Sequence, residues 1–280
     1  MRANLRPGLV LSLCLLVAAC ASTTGGGAIG VNRKQFLLVS SAEVDAAALQ
    51  AYQGELGQAS KAGKLNTDKV TLERIRVIAD RLIPQVATFR PDALQWKWEV
   101  NLETNPELNA YCAPGGKIMF FTGIIQKLNL SDDEIAAIMG HEMAHALREH
   151  GRERMSQAMA QQLGVQLGTQ VLGIEDKAQL ANMGAQLLFA LPNSRGQEAE
   201  ADVIGLELLA RAGFNPQAAV SLWQKMAQAG AGGGPAFLST HPSGPQRIAE
   251  LQSRIPTVMP LYEQAKAAGV KAVPRVVPRA

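Results

Sequence analysis

Cysteine is scarce in this 280-residue chain, which contains three: Cys14, Cys20 and Cys112. The first two lie at the end of an apolar N-terminal segment, so only Cys112 remains in the rest of the sequence. A single cysteine cannot form an internal disulfide, and we expect its thiol to be buried. A catalytic thiol is not expected, because no neighbouring residue in the sequence could act as its base.

A large excess of charge is also missing. Charged residues make up 18% of the chain, aromatic residues 5%, and the formal net charge is +3. Loss of Arg2 and Arg6 with an N-terminal signal would lower the net charge to +1. Nucleic acid is therefore not an expected partner. The sequence has no internal repeat, and its 47% hydrophobic content is that of a globular protein.

The N-terminus predicts a lipoprotein signal peptide over residues 1–19. Its apolar stretch, residues 9–17, is too short for a stable membrane span. The following Val17-Ala18-Ala19-Cys20 resembles the lipobox of bacterial lipoproteins and predicts lipidation of Cys20, with an ordinary signal peptide as the alternative. Ala21 in place of aspartate is typical of outer-membrane sorting in Gram-negative bacteria. We expect a protein anchored by lipid to the periplasmic face of the outer membrane.

Composition and periodicity divide the mature chain into three parts. Residues 20–66 are expected to form a lipid-anchored tether, flexible over residues 22–30, and an N-terminal helix. Residues 67–255 are expected to fold as one domain, and residues 256–280 to form a basic, proline-containing tail. Helical spacing predicts helices over residues 68–89, 152–172, 177–191, 194–211, 216–229 and 245–254.

Strands are predicted only in the first half of the domain. Apolar and polar residues alternate over residues 96–102, and short strands over residues 109–113 and 117–122 flank the turn Pro114-Gly115-Gly116. The predicted fold class is therefore α+β and mainly helical, with a small antiparallel sheet beside the helix that follows.

That helix carries the pattern H-E-x-x-H at residues 141–145. Side chains four residues apart share a helix face, so His141 and His145 can bind one metal ion. Glu142 is offset around the helix, where its carboxylate can act as a general base without becoming a ligand. A capping box, Ser131-Asp132-Asp133-Glu134, predicts the start of the helix. The pattern predicts metal-assisted hydrolysis with one Zn²⁺ per chain.

Two histidines leave a zinc ion short of ligands, so another must come from elsewhere in the chain. The third histidine of the metzincin pattern is missing, and His150 is predicted to lie at the C-terminal end of the helix. Glu198 and Asp202 share one face of a later helix, whereas Glu200 points away from Glu198. We assign Glu198 as ligand and Asp202 as the acceptor of a hydrogen bond from a ligating histidine. The alternative is an exposed acidic helix face.

Together these motifs resemble the zinc metallopeptidases of the type I CAAX prenyl protease/HtpX superfamily, which includes periplasmic lipoprotein peptidases. The matching residues are Asn109-Ala110-Tyr111, Pro114-Gly115-Gly116, His141-Glu142-Met143-Ala144-His145, residues 198–202, Thr240-His241-Pro242 and Arg247-Ile248. The resemblance implies a gluzincin-type fold and zinc endopeptidase activity. We expect neither the multi-span membrane region of HtpX nor the tetratricopeptide repeats of some lipoprotein members.

With the resemblance, His241 is expected to act in the active site, by stabilising the oxyanion or by occupying the open zinc position. Asn109, Ala110, Tyr111 and Cys112 are the expected edge strand, to which an extended substrate adds a strand. Such pairing suits unfolded or misfolded proteins, with quality control as the role and outer-membrane assembly machinery as a candidate partner. The alternative function is a chaperone or assembly factor for outer-membrane proteins, with latent or gated protease activity.

Overall fold

The computed structural model describes residues 20–168, 192–230, 236–241 and 244–269. Within these ranges the chain is mainly helical with a small three-stranded sheet, which confirms the predicted α+β class. The predicted signal peptide and the predicted helix over residues 177–191 lie outside the described residues. No helix in the described ranges is both long enough and apolar enough to cross a membrane.

The N-terminal part contains a short strand pair and two helices. Strand β1 (Cys20–Ala21) pairs antiparallel with β2 (Gln35–Phe36), and helix α1 (Ser41–Lys61) follows. Helix α2 (Lys69–Leu82) is shorter than predicted, because Pro84 has no N–H for an α-helical hydrogen bond. The chain continues instead as two 3-10 helices, Ile83–Thr88 and Pro91–Gln95.

The residues 22–30 pack against the domain and do not form the flexible tether that the sequence predicts. The Glu207 carboxylate accepts hydrogen bonds from the N–H groups of Ala28 and Ile29, at 3.1 and 3.0 Å. Ile29 and Val31 are buried and belong to the main hydrophobic core. The glycine-rich composition of this segment suggested flexibility. Its packing could not be read from local sequence, because its partner Glu207 lies almost 180 residues further along the chain.

The three strands form a mixed sheet, which corrects the prediction of an antiparallel one. Strands β3 (Glu99–Glu103), β4 (Ala110–Ala113) and β5 (Lys117–Phe121) lie in the order β3-β5-β4. Strand β5 pairs antiparallel with β4 but parallel with β3. It takes the central position because it is buried along its whole length, on both faces.

The H-E-x-x-H motif lies on a helix with almost no exposed residues. A short helix α3 (Thr122–Lys127) precedes helix α4 (Asp132–Leu147), which begins with the predicted capping box between Ser131 and Glu134. Every residue from 134 to 147 is buried. Such a helix keeps its two histidines away from bulk water.

The remaining described helices surround α4. They are α5 (His150–Gly168), α6 (Arg195–Arg211), α7 (Gln217–Gly230), α8 (Ala236–Thr240) and α9 (Pro245–Ala267). Helix α9 passes through Pro256 and Pro260, where the sequence predicts the start of the tail. Ile255 and Val258 are buried as α9 packs on α6 and α7, and this packing outweighs the hydrogen bonds that the prolines remove.

Helices α4 and α6 approach each other most closely at two glycines. A Cβ atom on Gly205 would lie 2.8 Å from the backbone nitrogen of His141 and 3.0 Å from the carbonyl carbon of Gly140. Real Cβ atoms do not come this near to backbone, so only glycine fits. Because Gly140 directly precedes His141, the glycine contact brings the histidine face of α4 against α6.

Candidate metal centre

Four buried side chains converge where α4, α6 and the end of α8 meet. His141, His145, Glu198 and His241 each offer one donor atom, and these four atoms lie within 4.8 Å of one another. His141 Nε2 lies 3.1 Å from His145 Nε2 and 3.2 Å from His241 Nδ1. Glu198 Oε1 lies 3.2 Å from His145 Nε2 and 3.0 Å from His241 Nδ1. We call these four residues the front cluster.

The donors of the front cluster suit a divalent metal ion. Two imidazole nitrogens that face each other can share only one proton, and His141 Nε2 faces two such nitrogens. Hydrogen bonds within the cluster therefore leave buried lone pairs without a partner. A cation bound among the four ligand atoms would interact with the lone pairs of all four. Imidazole and carboxylate ligands of this kind are those that Zn²⁺ takes in proteins.

Glu198 is ionised in this setting. Burial alone would raise the pKa of its carboxyl group, but the nearby His141 and His241 and the hydrogen bonds from His141 and His145 outweigh burial. The pKa of Glu198 is consequently held well below its usual range. A charged carboxylate is the form that binds a metal ion.

Glu142 lies beside the front cluster without being one of its donors. Its side chain is buried, and its Oε1 lies 3.5 Å from His241 Nε2. Within the described part of the chain this oxygen has no hydrogen-bond partner. Burial raises the pKa of the Glu142 carboxyl group above its ordinary value. The carboxylate therefore has an oxygen available to accept a proton.

Asp202 contacts His141, one of the predicted metal ligands: its Oδ1 lies 3.0 Å from His141 Nδ1. The sequence assigned no role to Arg247, which donates two hydrogen bonds of 2.6 Å to Asp202 and lies 2.8 Å from Glu198 Oε2. Its guanidinium group also lies over the ring of Trp223, 3.4 Å from the centroid. Arg247, which lies on α9, thus holds the carboxylates of Asp202 and Glu198 in place. The only signal for it in the sequence was its place in the family pattern.

The helix α8 holds His241 in the front cluster. The His241 ring stacks on Phe237 with a centroid distance of 4.4 Å, and the backbone N–H of His241 donates to the Phe237 carbonyl oxygen at 2.9 Å. The Phe237 N–H donates to the carbonyl oxygen of Leu108, next to strand β4. His241 therefore lies in the site, where the sequence predicted it.

A second cluster of polar side chains, buried except for Arg33, lies behind His145. His150 starts α5 and is fully buried, which corrects the prediction that it ends a helix. Its Nδ1 lies 2.8 Å from His145 Nδ1, and its Nε2 lies 3.1 Å from Glu200 Oε2. Glu200 also forms ion pairs of 2.7 Å with Arg148 and 2.6 Å with Arg33. With Glu153, which pairs with Arg33 at 2.5 Å, these residues form what we call the rear cluster: Arg33, Arg148, His150, Glu153 and Glu200.

A cleft beside the front cluster runs along strand β4. Residues 109–114 line one side of it, and Glu142, His145 and His241 line another. In the described part of the chain β4 pairs with β5 alone and is an edge strand. It spans Ala110–Ala113, whereas the sequence predicted a substrate-binding edge strand at Asn109, Ala110, Tyr111 and Cys112. Two lining residues that the sequence analysis missed are Arg154 and Asn193.

The environment of Cys112 does not favour a nucleophilic thiolate. Its thiol is buried, as predicted, and burial raises its pKa well above the ordinary value. The thiolate, which is the reactive form, is therefore disfavoured.

Comparison with known proteins places these residues in a family. The model of Peptidase family M48 matches residues 70–255, well over half of the chain. Mitochondrial metalloendopeptidase OMA1 of Arabidopsis thaliana is 39% identical over 150 residues, 54% of this chain and 30% of that protein. Metalloprotease LoiP of Escherichia coli is 26% identical over 152 residues, 53% of this chain and 59% of LoiP.

The beta-barrel assembly-enhancing protease of Yersinia pestis is 26% identical over 205 residues, 69% of this chain and 40% of that protein. The chain thus spans less than two thirds of the length of each of these relatives. The matched range contains all four residues of the front cluster together with Glu142 and Arg247. The resemblance inferred from the sequence motifs is confirmed, and this chain belongs to peptidase family M48.

Proposed function

We propose that this protein is a zinc-dependent endopeptidase that hydrolyses peptide bonds of unfolded or misassembled envelope proteins. The observation that carries the proposal is the convergence of His141, His145 and Glu198, with Glu142 beside them at the wall of a cleft. Metal-assisted hydrolysis needs these three parts: ligands, a general base and access for an extended chain. The relatives named metalloendopeptidase and metalloprotease support the same reaction class.

His141, His145 and Glu198 would hold the metal ion. When bound, zinc supplies a Lewis acid that polarises the scissile carbonyl and lowers the pKa of a water molecule to about 7. Asp202 and Arg247 keep the His141 ring and the Glu198 carboxylate in their orientations through the contacts described above.

Glu142 would act as the general base. It lies at the wall of the cleft, buried, with an oxygen that has no other partner among the described residues. It would accept the proton of the attacking water and pass it to the amine of the departing peptide. Because Glu142 is not a donor of the front cluster, its replacement by glutamine should leave the metal ligands in place.

Strand β4 would align the substrate. Its pairing with β5 uses one edge, and the cleft lies along residues 109–114. An extended peptide that pairs with this strand is recognised through main-chain groups rather than through particular side chains. Unfolded chains offer such segments, whereas folded proteins have already paired theirs. This supports a role in quality control.

His241 would keep the site closed until substrate arrives. A catalytic zinc ion needs one position that is free of protein ligands, and His241 Nδ1 lies as near to His141 and Glu198 as the other donors do. This position favours a role as a displaceable fourth ligand over a role in stabilising the oxyanion.

The proposed location is the periplasmic face of the outer membrane, with Cys20 as the lipidated residue. The lipobox-like sequence before Cys20 supports it. The similarity to a protease named for β-barrel assembly supports outer-membrane assembly machinery as a partner. The OMA1 relative is mitochondrial by name, so the location rests on the N-terminal sequence and not on that relative.

The test is cleavage of casein and of an unfolded outer-membrane protein by the zinc-loaded protein, comparing wild type with Glu142→Gln. We expect cleavage by wild type, no cleavage by Glu142→Gln, and equal zinc content in both. Equal cleavage by both proteins would refute the role of Glu142. No cleavage by wild type or by His241→Ala, together with suppression of aggregation by both, would favour the chaperone function instead. Faster cleavage by His241→Ala would support the closing role of His241.

A further inference from the structure

His145 contacts a second histidine on the side away from the front cluster. His150 follows it by five residues but lies on the next helix, because the chain turns at Glu149, whose φ is 52°. The two Nδ1 atoms are 2.8 Å apart, and the His150 side chain is fully buried. The function proposed above gives His150 no role.

The positions of the protons on these two rings follow from their neighbours. His145 presents Nε2 to the front cluster, where it lies 3.2 Å from Glu198 Oε1. Binding of a metal ion through Nε2 requires a lone pair on that atom, which places the ring proton on Nδ1. The Nδ1–H of His145 then donates to His150 Nδ1. His150 must accordingly carry its own proton on Nε2, which donates to Glu200 Oε2 at 3.1 Å.

Glu200 sets the direction of this chain of hydrogen bonds. Arg148 donates to its Oε1 at 2.7 Å, and Arg33 donates to its Oε2 at 2.6 Å. A carboxylate held by two guanidinium groups can only accept, so the ring nitrogen that faces it must donate. The hydrogen bonds from His145 to His150 and from His150 to Glu200 can therefore run in only this one direction.

We propose that His150 is a positioning residue for His145: it fixes the ring orientation and the tautomer that leave Nε2 free to bind a metal ion. The inference rests on the proposed function in one respect, that His145 is a metal ligand. Glu200 supports His145 through the ring of His150. Asp202 gives His141 the same support directly, at 3.0 Å.

The first test is zinc affinity, measured by competition with a chelator for wild type, His150→Phe and His150→Asn. Phenylalanine keeps the ring volume but cannot accept a hydrogen bond, and we expect roughly 10- to 100-fold weaker zinc binding. Asparagine can accept the His145 Nδ1–H through its own oxygen and should recover part of that loss. The control is Glu207→Gln, which changes a buried acid on the helix that carries Glu200 but contacts Ala28 and Ile29 instead of His150. Its zinc affinity should equal that of wild type. Wild-type affinity in His150→Phe, or equal losses in the two His150 variants, would overturn the proposal.

The second test needs no variant and so does not depend on the folding of one. In the zinc-loaded wild-type protein, ¹⁵N NMR of the imidazoles should show His145 protonated at Nδ1 and His150 protonated at Nε2. A proton on His150 Nδ1 would overturn the proposal. Neither test uses proteolysis, so an inactive protein that binds zinc with these tautomers would refute the proposed function and leave the role of His150 standing.

Discussion

The front and rear clusters each include one glutamate of helix α6, and they satisfy their buried polar groups in opposite ways. Glu198 and Glu200 lie two residues apart on α6. Glu200 meets two arginines and a histidine that donates to it, so acids and donors alternate through the rear cluster. The acceptors of the front cluster converge on one another, with ring nitrogens 3.1 to 3.2 Å apart. A polar cluster whose groups satisfy each other is structural, whereas one whose acceptors face each other is completed by a cation.

The largest effect is expected from changing an acceptor of the front cluster. Glu198→Gln keeps the shape of the side chain but removes its charge, so zinc affinity should fall by more than the roughly 10- to 100-fold loss typical of a ligand's outer partners. Proteolysis should be abolished. Zinc content after dialysis, measured by atomic emission, checks the prediction, with Glu207→Gln as the control that should retain zinc. Stoichiometric zinc in Glu198→Gln would contradict it.

An intermediate effect is expected at the glycine contact between α4 and α6. In Gly205→Ala the added Cβ meets the backbone of Gly140 and His141 at 2.8 to 3.0 Å, and α4 and α6 must separate. We expect a loss of about 1–3 kcal/mol in the free energy of unfolding, together with weaker zinc binding. Urea unfolding measures the first of these. The matched control is Gly54→Ala, also inside a helix but with no atom near the added Cβ, which should be neutral or stabilising. Equal unfolding midpoints for the two variants would mean that the helices are not in contact there.

The smallest effect is expected in the pH dependence of the rear cluster. Burial of Glu153 is outweighed by hydrogen bonds from Arg33 and Gln197, and the pKa of the Glu153 carboxyl group is lowered from its ordinary value of 4.5. A lowered pKa in the folded state stabilises the protein above pH 4.5, and this stabilisation is lost as the pH falls further. The difference in unfolding midpoint between wild type and Glu153→Gln should therefore be the same at pH 7 and 5, and the midpoint of wild type should fall more than that of Glu153→Gln at pH 4 and 3. Parallel decreases in the two proteins would show that other carboxylates dominate.

The front cluster was largely predictable from the sequence because its spacing is local. His141 with His145, and Glu198 with Asp202, are pairs four residues apart on helices, and the period of the helix places each pair on one face. The capping box at Ser131 likewise depends on neighbours only.

The rear cluster was not predictable, because its contacts join distant parts of the chain. Arg33 is 167 residues from Glu200, and nothing in the sequence around Arg33 indicates a buried partner. The parallel pairing of β3 with β5 was missed for the same reason. The order of strands in a sheet depends on tertiary contacts that the pattern within each strand does not show. Helix α9 was predicted too short because local propensity at two prolines was given more weight than packing.

The packing of the N-terminal segment separates the limits of the family match from the limits of the folding unit. The family match begins at residue 70, yet Arg33 fills a place beside Glu153 and Glu200, and Gln35 donates to the carbonyl oxygen of Arg148. A truncated protein that starts at the family boundary would expose these buried acids to water and lose one of their two cations. A protein that keeps these contacts therefore starts before residue 33, upstream of the family match.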